Sequence, residues 1–344
     1  MNFASDNWPG ATPAVMAALA RHNDGFATAY GGDMVTASVT RRFCEVFERD
    51  VEVFFTATGT ASNSISMATL AQPGGLIFCS DDAHVLNDEY GASELQAPGL
   101  KLVGVPEHRG IITAASLEAG LARFPEGGRA GKPLGLSLTQ ASEAGTLYRP
   151  AEIAALAAIA HERGMAVHMD GARFANAVAA LGVTPAAITW KAGVDIMSFG
   201  GTKNGCWAAE AIIVFSPGRW PELAVRRARA GHTFSKARFV AAQFEGYLEG
   251  GNWLNTAAHA NAMAKRVADG IAESGSSRLG WAVEANEVFA VLPKAAIATL
   301  EAQGAMFHPW SAADVTIGAD EELVRLVMSF ATTTEEVDQF LGAL

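Results

Sequence analysis

The sequence predicts an α/β fold in which a mostly parallel sheet domain precedes a smaller α+β domain. Three observations carry that expectation. Short β-branched or aromatic runs alternate with longer Ala-rich stretches of helical period, the pattern of βαβ units around a sheet. Half of the 344 residues are hydrophobic and only 18% are charged, so the chain can bury a sizeable core and is not disordered. Near residue 251 the pattern restarts with a long helix and short strands, which at this length suggests a second domain.

Taken in order, residues 51–55 predict a strand and 59–70 the helix after it. Further strands are expected over 76–79, 100–105 and 134–138. A helix over 150–163 follows, with Ala, Leu and Ile at helical spacing. Strands over 165–169, 195–198 and 211–215 complete the run, so that 74–215 reads as one doubly wound sheet domain. The second domain holds a helix over 254–274 and strands near 288–292 and 324–330. The first thirty residues, with Pro9, Gly10, Pro13 and Tyr30-Gly31-Gly32-Asp33, read as an arm rather than a core element. The expected organisation is an arm (1–30), a large domain (31–250) and a small C-terminal domain (251–344).

Composition excludes several classes of function. With 25 Lys+Arg against 36 Asp+Glu the net charge is −11, which argues against phosphate-backbone binding and hence against a nucleic-acid partner. No run approaches 18 apolar residues, so no membrane span is expected. The start, Met1-Asn2-Phe3-Ala4-Ser5-Asp6, has no basic or apolar leader, and a cytoplasmic location is expected. Three distant cysteines, Cys44, Cys79 and Cys206, fit a reducing compartment and form no zinc-type pair. The stretch Gly127-Gly128-Arg129-Ala130-Gly131-Lys132-Pro133 is one residue short of a P-loop, ends in Pro and precedes a strand, so it reads as a surface loop. No GxGxxG opens a helix and no GxSxG is present, which leaves nicotinamide and hydrolase readings unsupported. His168-Met169-Asp170 lacks a second ligand pair at metal spacing, so no metal is expected.

Four local features occur in an informative order. Ala57-Thr58-Gly59-Thr60 opens a helix after a strand, where glycine, free N–H groups and the helix dipole attract phosphate. The same stretch also reads as an ordinary turn with Thr60 as N-cap. His84 follows the next strand, where an imidazole can stack on a planar ring. Asp170 ends an apolar strand at the sheet's carboxyl edge, placed to keep a heteroaromatic nitrogen protonated or simply to cap a helix. Lys203, 33 residues on, lies among small residues in Phe199-Gly200-Gly201-Thr202-Lys203-Asn204-Gly205, where a desolvated amine can form a Schiff base. Phosphate cradle, stacking histidine, strand-end aspartate and lysine in that order are the arrangement of a fold-type I pyridoxal 5′-phosphate (PLP) enzyme.

Nearly the whole chain, from Phe3-Ala4-Ser5-Asp6-Asn7 to Arg325-Leu326-Val327-Met328-Ser329-Phe330, resembles the low-specificity L-threonine aldolases, also called L-allo-threonine or phenylserine aldolases. The most specific stretches are His168-Met169-Asp170-Gly171-Ala172-Arg173-Phe174 and the Lys203 loop. Tyr30-Gly31-Gly32-Asp33 and the run from Leu138 to Gly145 add to them. The resemblance implies a fold-type I, aspartate aminotransferase-like large domain and PLP as cofactor. It also implies retro-aldol cleavage of L-threonine, L-allo-threonine or related L-β-hydroxy-α-amino acids to glycine and an aldehyde.

By the same resemblance Lys203 carries the cofactor as a Schiff base, Asp170 pairs with its ring nitrogen and His84 stacks on the ring. Gly59 and Thr60 hold its phosphate. Arg173 reaches a cofactor oxygen or the substrate, while Ser5 and Arg325 grip the substrate carboxylate. Many relatives have Asn-x-His where this chain has Gln140-Ala141-Ser142-Glu143, so a second active-site histidine is absent or replaced; His84, directly or through one water, is the candidate base for the β-hydroxyl proton. Either Arg229 or Lys236 is expected to reach a neighbouring subunit's phosphate. The implied assembly is a homodimer or homotetramer with interface active sites, in which Tyr30 serves substrate binding. Another fold-type I reaction (transamination, β-elimination or transaldol exchange) is the nearest alternative, ahead of a non-catalytic binding or assembly protein and a cofactor-independent hydrolase.

Overall fold

In the computed structural model, which describes residues 1–125 and 127–344, seven strands form one sheet. They are β1 (Glu52–Thr56), β2 (Gly75–Ser80), β3 (Lys101–Val105), β4 (Lys132–Thr139), β5 (Ala166–Gly171), β6 (Ile196–Gly200) and β7 (Glu210–Val214). Their order is β1-β7-β6-β5-β4-β2-β3. The β2–β3, β2–β4, β4–β5 and β5–β6 pairs are parallel, while β7 runs antiparallel to both its neighbours. The sheet therefore starts earlier than the expected 74–215, because residues 52–56 pair with β7 at its edge.

Every predicted strand of this sheet is present within a residue or two of its expected ends, since a strand buried on both faces announces itself as an apolar run. The residues of β2, β5, β6 and β7 are all buried. An aromatic cluster packs behind β6. The Phe199 ring lies 5.2 Å from Phe43, 5.7 Å from Trp253 and 6.0 Å from Phe244, in edge-on or tilted contacts. At roughly 1.5–3 kcal/mol for each large side chain fully buried, this cluster fixes β6 and the loop hanging from its end.

The small domain is a four-stranded antiparallel sheet in the order β10-β11-β9-β8. Its strands are β8 (Arg278–Leu279), β9 (Glu287–Pro293), β10 (His308–Pro309) and β11 (Glu321–Val327). The strand expected over 324–330 starts and stops three residues earlier, because the Ser329 amide turns into a hydrogen bond with Thr332 Oγ1. Asn252–Ser274 joins the two cores. Trp253 and Ala257 pack into the large core and Ala264, Val267 and Ile271 into the small one, past the left-handed pair Gly250–Gly251.

The first thirty residues do not form a detached arm. Phe3 is buried in the small-domain core, 5.3 Å from Phe340, and its backbone bonds to Met306 and Val327. Helix α1 (Pro13–Arg21), capped by Thr12, buries Val15 and Ala18 against the chain's own large core. Helix α2 (Met34–Val46), capped by Asp33, places Phe43 in the aromatic cluster. No helix among the described residues is long and apolar enough to cross a membrane.

Candidate active site

The carboxyl ends of β2, β4, β5 and β6 open onto one cavity of about 290 Å³, the place where open α/β sheets bind ligands. Along β5, Val167 and Met169 point into the large core, while His168 and Asp170 point to the opposite face. His168 spans the sheet, with Nδ1 2.9 Å from Ser137 Oγ on β4 and Nε2 3.1 Å from Ser198 Oγ on β6. Burial pushes its pKa down to about 4, so it is a neutral, satisfied strut rather than a metal ligand. Among the described residues no cluster of three or more His, Cys, Asp or Glu is placed to hold a metal.

Asp170 is the buried carboxylate at the cavity floor. Its Oδ1 accepts from the Ala172 N–H at 3.0 Å and its Oδ2 from Asn63 Nδ2 at 2.7 Å. The same Asn63 amide donates to Glu89 Oε1 at 2.8 Å, and Glu89 Oε1 lies 3.0 Å from His84 Nδ1. A carboxylate only accepts, so the network assigns the proton to Nδ1 and leaves the Nε2 lone pair unassigned to any protein donor. The hydrogen bond to fully buried Glu89 holds the His84 imidazole above its ordinary pKa, against a smaller desolvation effect. His84 thus ends a chain Asp170–Asn63–Glu89–His84 along the cavity wall.

Helix α3 (Gly59–Leu70) begins at the cavity rim. Thr58, not Thr60, is its N-cap, with Oγ1 accepting from the Ala61 N–H at 3.1 Å. That cap leaves the Gly59 and Thr60 amides to face the cavity that both residues line. A Cβ built on Gly59 would meet nothing within 4 Å, so there is open room above these donors.

The Lys203 loop is clamped on both sides. Asn204 Nδ2 donates to the Tyr247 hydroxyl and to the Trp253 carbonyl, both at 2.8 Å. Gly205, at φ +116°, would drive a Cβ to 2.4 Å from Thr12 Cγ2, and Gly201 would drive one to 2.6 Å from the Ala209 carbonyl. These two glycines let the turn Thr202–Asn204 fold tightly enough to place Lys203 in the cavity wall. Beside it, Glu210 accepts from the Gly201 and Thr202 amides at 3.2 and 3.3 Å. Burial lifts the Glu210 carboxyl to about 7, against the pull of these bonds and of Lys203.

Arg173 lines the cavity with its guanidinium already engaged. Nε and Nη2 bind Asp6 Oδ2 and Oδ1 at 2.7 and 3.0 Å, and Nη2 lies 3.5 Å from Glu287 Oε1. This side-on grip uses one edge of the fork and leaves the Nη1 edge for a ligand. Asn286 Nδ2 supports Asp6 Oδ2 from behind at 3.1 Å.

The fold therefore gathers Gly59, Thr60, His84, Asp170, Arg173 and Lys203 around one cavity. Ser5, Tyr30, Arg229, Lys236 and Arg325 are outside its lining. Ser5 Oγ accepts from the Asn7 N–H at 3.1 Å. Arg325, on β11, sits 4.9 Å over the Trp310 ring with a buried Nε lacking a partner, and its charge acts on Glu287. Tyr30 is mostly exposed, as are Arg229 and Lys236. Sequence reasoning missed Asp6, Asn63, Glu89 and Glu210. Only Asn63 carried a signal, one helical turn after Gly59 on the same face of α3.

The site suits the cofactor that the resemblance implies. It offers a carboxyl group held in place by two donors, a primary amine in a tight turn and two helix-start amides under open space. Comparison with known proteins agrees. The model of the β-eliminating lyase family matches residues 2–294. The low specificity L-threonine aldolases of Pseudomonas sp. (strain NCIMB 10558) and Pseudomonas aeruginosa are 43% and 44% identical over 311 residues, covering 89% of this chain and 88% of each relative. A solved threonine aldolase from Leishmania major superposes with a TM-score of 0.91 at 27% identity, over 99% of this chain and 97% of that one. Likeness of this extent in both sequence and backbone assigns the chain to the β-eliminating lyase family, on its low-specificity L-threonine aldolase branch.

Proposed function

We propose that the chain is a PLP-dependent aldolase that cleaves L-threonine, L-allo-threonine or related L-β-hydroxy-α-amino acids such as phenylserine to glycine and an aldehyde. The observation that carries this is the convergence of Lys203, Asp170 and the α3 amides on one cavity whose rim holds an arginine with a free edge. When bound, PLP supplies a sink for the electron pair released at Cα. Lys203 would hold it through its amine, Asp170 would pair with its ring nitrogen, and Gly59 and Thr60 would take the phosphate at the positive end of α3. Asn63 keeps Asp170 aimed.

Arg173, backed by Asp6, would grip the substrate carboxylate; Arg325 and Ser5, which stand outside the cavity lining, are the further candidates for that grip. This grip would fix the orientation of the substrate's Cα within the cavity. His84, with Nδ1 spent on Glu89, suits stacking on the ring.

Fully exposed Phe26 and Tyr90, together with Tyr30 and Met34, support a homodimer or homotetramer, since monomers rarely display so many large apolar side chains. In such an assembly Arg229 or Lys236 is available to a neighbouring phosphate. A cytoplasmic enzyme acting on free amino acids is the setting that fits.

The test is incubation of the PLP-loaded protein with L-threonine, L-allo-threonine and phenylserine, with product identification. Glycine and the matching aldehyde in equal amounts are expected. Release of ammonia with a 2-oxo acid, without glycine, would instead mean β-elimination and overturn the aldolase reading.

A further inference from the structure

One acidic side chain of the cavity wall has no part in holding cofactor or carboxylate. Glu143 lies just past the end of β4 and lines the same cavity as Lys203 and Asp170. Its Oε1 accepts from the His84 backbone N–H at 2.8 Å. Its Oε2 has almost no accessible surface and no hydrogen-bond partner among the described residues. An orphaned buried oxygen is destabilising, which is tolerated where a bound ligand supplies the partner.

We propose that Glu143 is the acid–base residue of the cleavage step: its Oε2 takes the β-hydroxyl proton of an L-β-hydroxy-α-amino acid as the Cα–Cβ bond breaks. The assignment rests on the aldolase reading. The O–H electron pair becomes the second C–O bond of the aldehyde. The Cα–Cβ pair stays with Cα, and the proton left on Glu143 balances the one that glycine's Cα gains. No external acid, base or oxidant is consumed.

The surroundings suit that task. Burial is the main influence and raises the carboxyl to about 7, aided by the like charges of Asp170 and Asp82. The His84 N–H and Glu143's own backbone pull the other way. Across the cavity the Arg173 guanidinium feels the Glu143 charge, and buried Cys79 and Tyr148 are pushed up partly by it. A carboxyl titrating there is half ionised at neutral pH, which is where a base works best.

Glu143→Gln keeps the shape and the acceptor for the His84 amide but cannot receive a proton. Three readouts are taken on the holoenzyme. Cleavage of L-threonine and phenylserine should fall by about 10²–10⁴-fold in kcat. Glycine affinity and exchange of the glycine α-hydrogen in D₂O, which involve no β-hydroxyl, should stay within about twofold. The acid limb of kcat/KM that wild type shows near pH 7 should vanish. Glu143→Asp, which retains a carboxylate, should restore part of the cleavage rate and the acid limb.

Equal loss of cleavage and glycine exchange would make Glu143 a structural residue and overturn the assignment. So would a Glu143→Gln enzyme that cleaves at the wild-type rate, or a Glu143→Asp enzyme no better than Glu143→Gln. A wild-type protein that exchanges glycine but releases no aldehyde would overturn the aldolase reading, and this assignment with it.

Discussion

Asp6 is the residue whose loss should tell most about how the carboxylate grip is built. Its pair with Arg173 is bidentate at 2.7 and 3.0 Å, and the two side chains are 2% and 11% exposed. Asp6→Asn places an NH₂ against a guanidinium that only donates, so one buried charge is left without its partner. Breaking such a pair costs about 3–5 kcal/mol. Glu287 remains 3.5 Å from Nη2, so the lower end, about 3 kcal/mol, is expected. At about 2 °C per kcal/mol for a large chain, Tm measured by calorimetry at fixed protein and cofactor concentration should drop by roughly 6 °C.

The pH dependence has a definite sign. Burial raises the Asp6 carboxyl, but the charges of Arg173 and Lys203 outweigh it and hold the pKa below 3.8. Its stabilisation is therefore present above 3.8 and lost as pH falls through the folded value. Asp6→Asn should flatten that part of the acid limb. Asp6→Ala combined with Arg173→Met, which removes both charges, should recover most of the lost stability. A single variant that melts within about 1 °C of wild type, with an unchanged acid limb, would refute the buried-pair account.

Lys203→Ala should abolish both the visible absorbance of bound PLP and turnover while leaving the melting curve of the cofactor-free chain nearly unchanged; an absorbing, active variant would remove the lysine from its role. Glu89→Gln should lower the His84 pKa in a histidine NMR titration, because the hydrogen bond that raises it is weakened; no change would mean the pair does not form. Buried His168, neutral down to about pH 4, should make stability fall as pH drops from 6.5 toward 4, since the unfolded imidazole binds the proton and the folded one does not. That loss is worth about 3 kcal/mol at roughly 1.4 kcal/mol per pH unit, and His168→Gln should abolish this part of the curve. Gly205→Ala should cost cofactor affinity as well as stability, because the Cβ meets Thr12 and strains the turn that carries Lys203.

The parts of this site that were legible in the sequence are those held by backbone geometry. A buried strand ending in Asp170, a helix start at Gly59 and a glycine-flanked Lys203 each declare themselves through residue type and position. The sheet was legible for the same reason, down to the antiparallel β7 being present as a strand though not its direction. What stayed hidden depends on side chains meeting across long separations. Asp6 and Arg173 lie 167 residues apart, and Asn63 and Asp170 lie 107 apart. No local period encodes such pairs, so the N-terminal stretch read as an arm when it is in fact wedged between the cores. Thr58 was overlooked as cap because Thr60 is chemically as good, and only the chain's path selects between them.

The distribution of charge within the cavity explains how a chain of net charge −11 receives anions. Glu89, Glu143, Asp170 and Glu210 line the cavity beside Lys203 and Arg173, with Asp6 and Glu287 against Arg173, so the carboxyls outnumber the basic groups. Part of that excess is not carried as charge. Burial raises Glu143 and Glu210 to about 7, so at neutral pH each holds a proton about half of the time. An arriving phosphate or carboxylate adds negative charge, which favours protonation of these two acids further. The cavity can then bind an anion by taking up protons instead of by repelling it. That predicts that binding of glycine to the holoenzyme is accompanied by net proton uptake near pH 7, which calorimetry in buffers of different ionisation enthalpy measures directly. Buffer-independent binding heats would show that Glu143 and Glu210 keep their protonation on binding and refute this account.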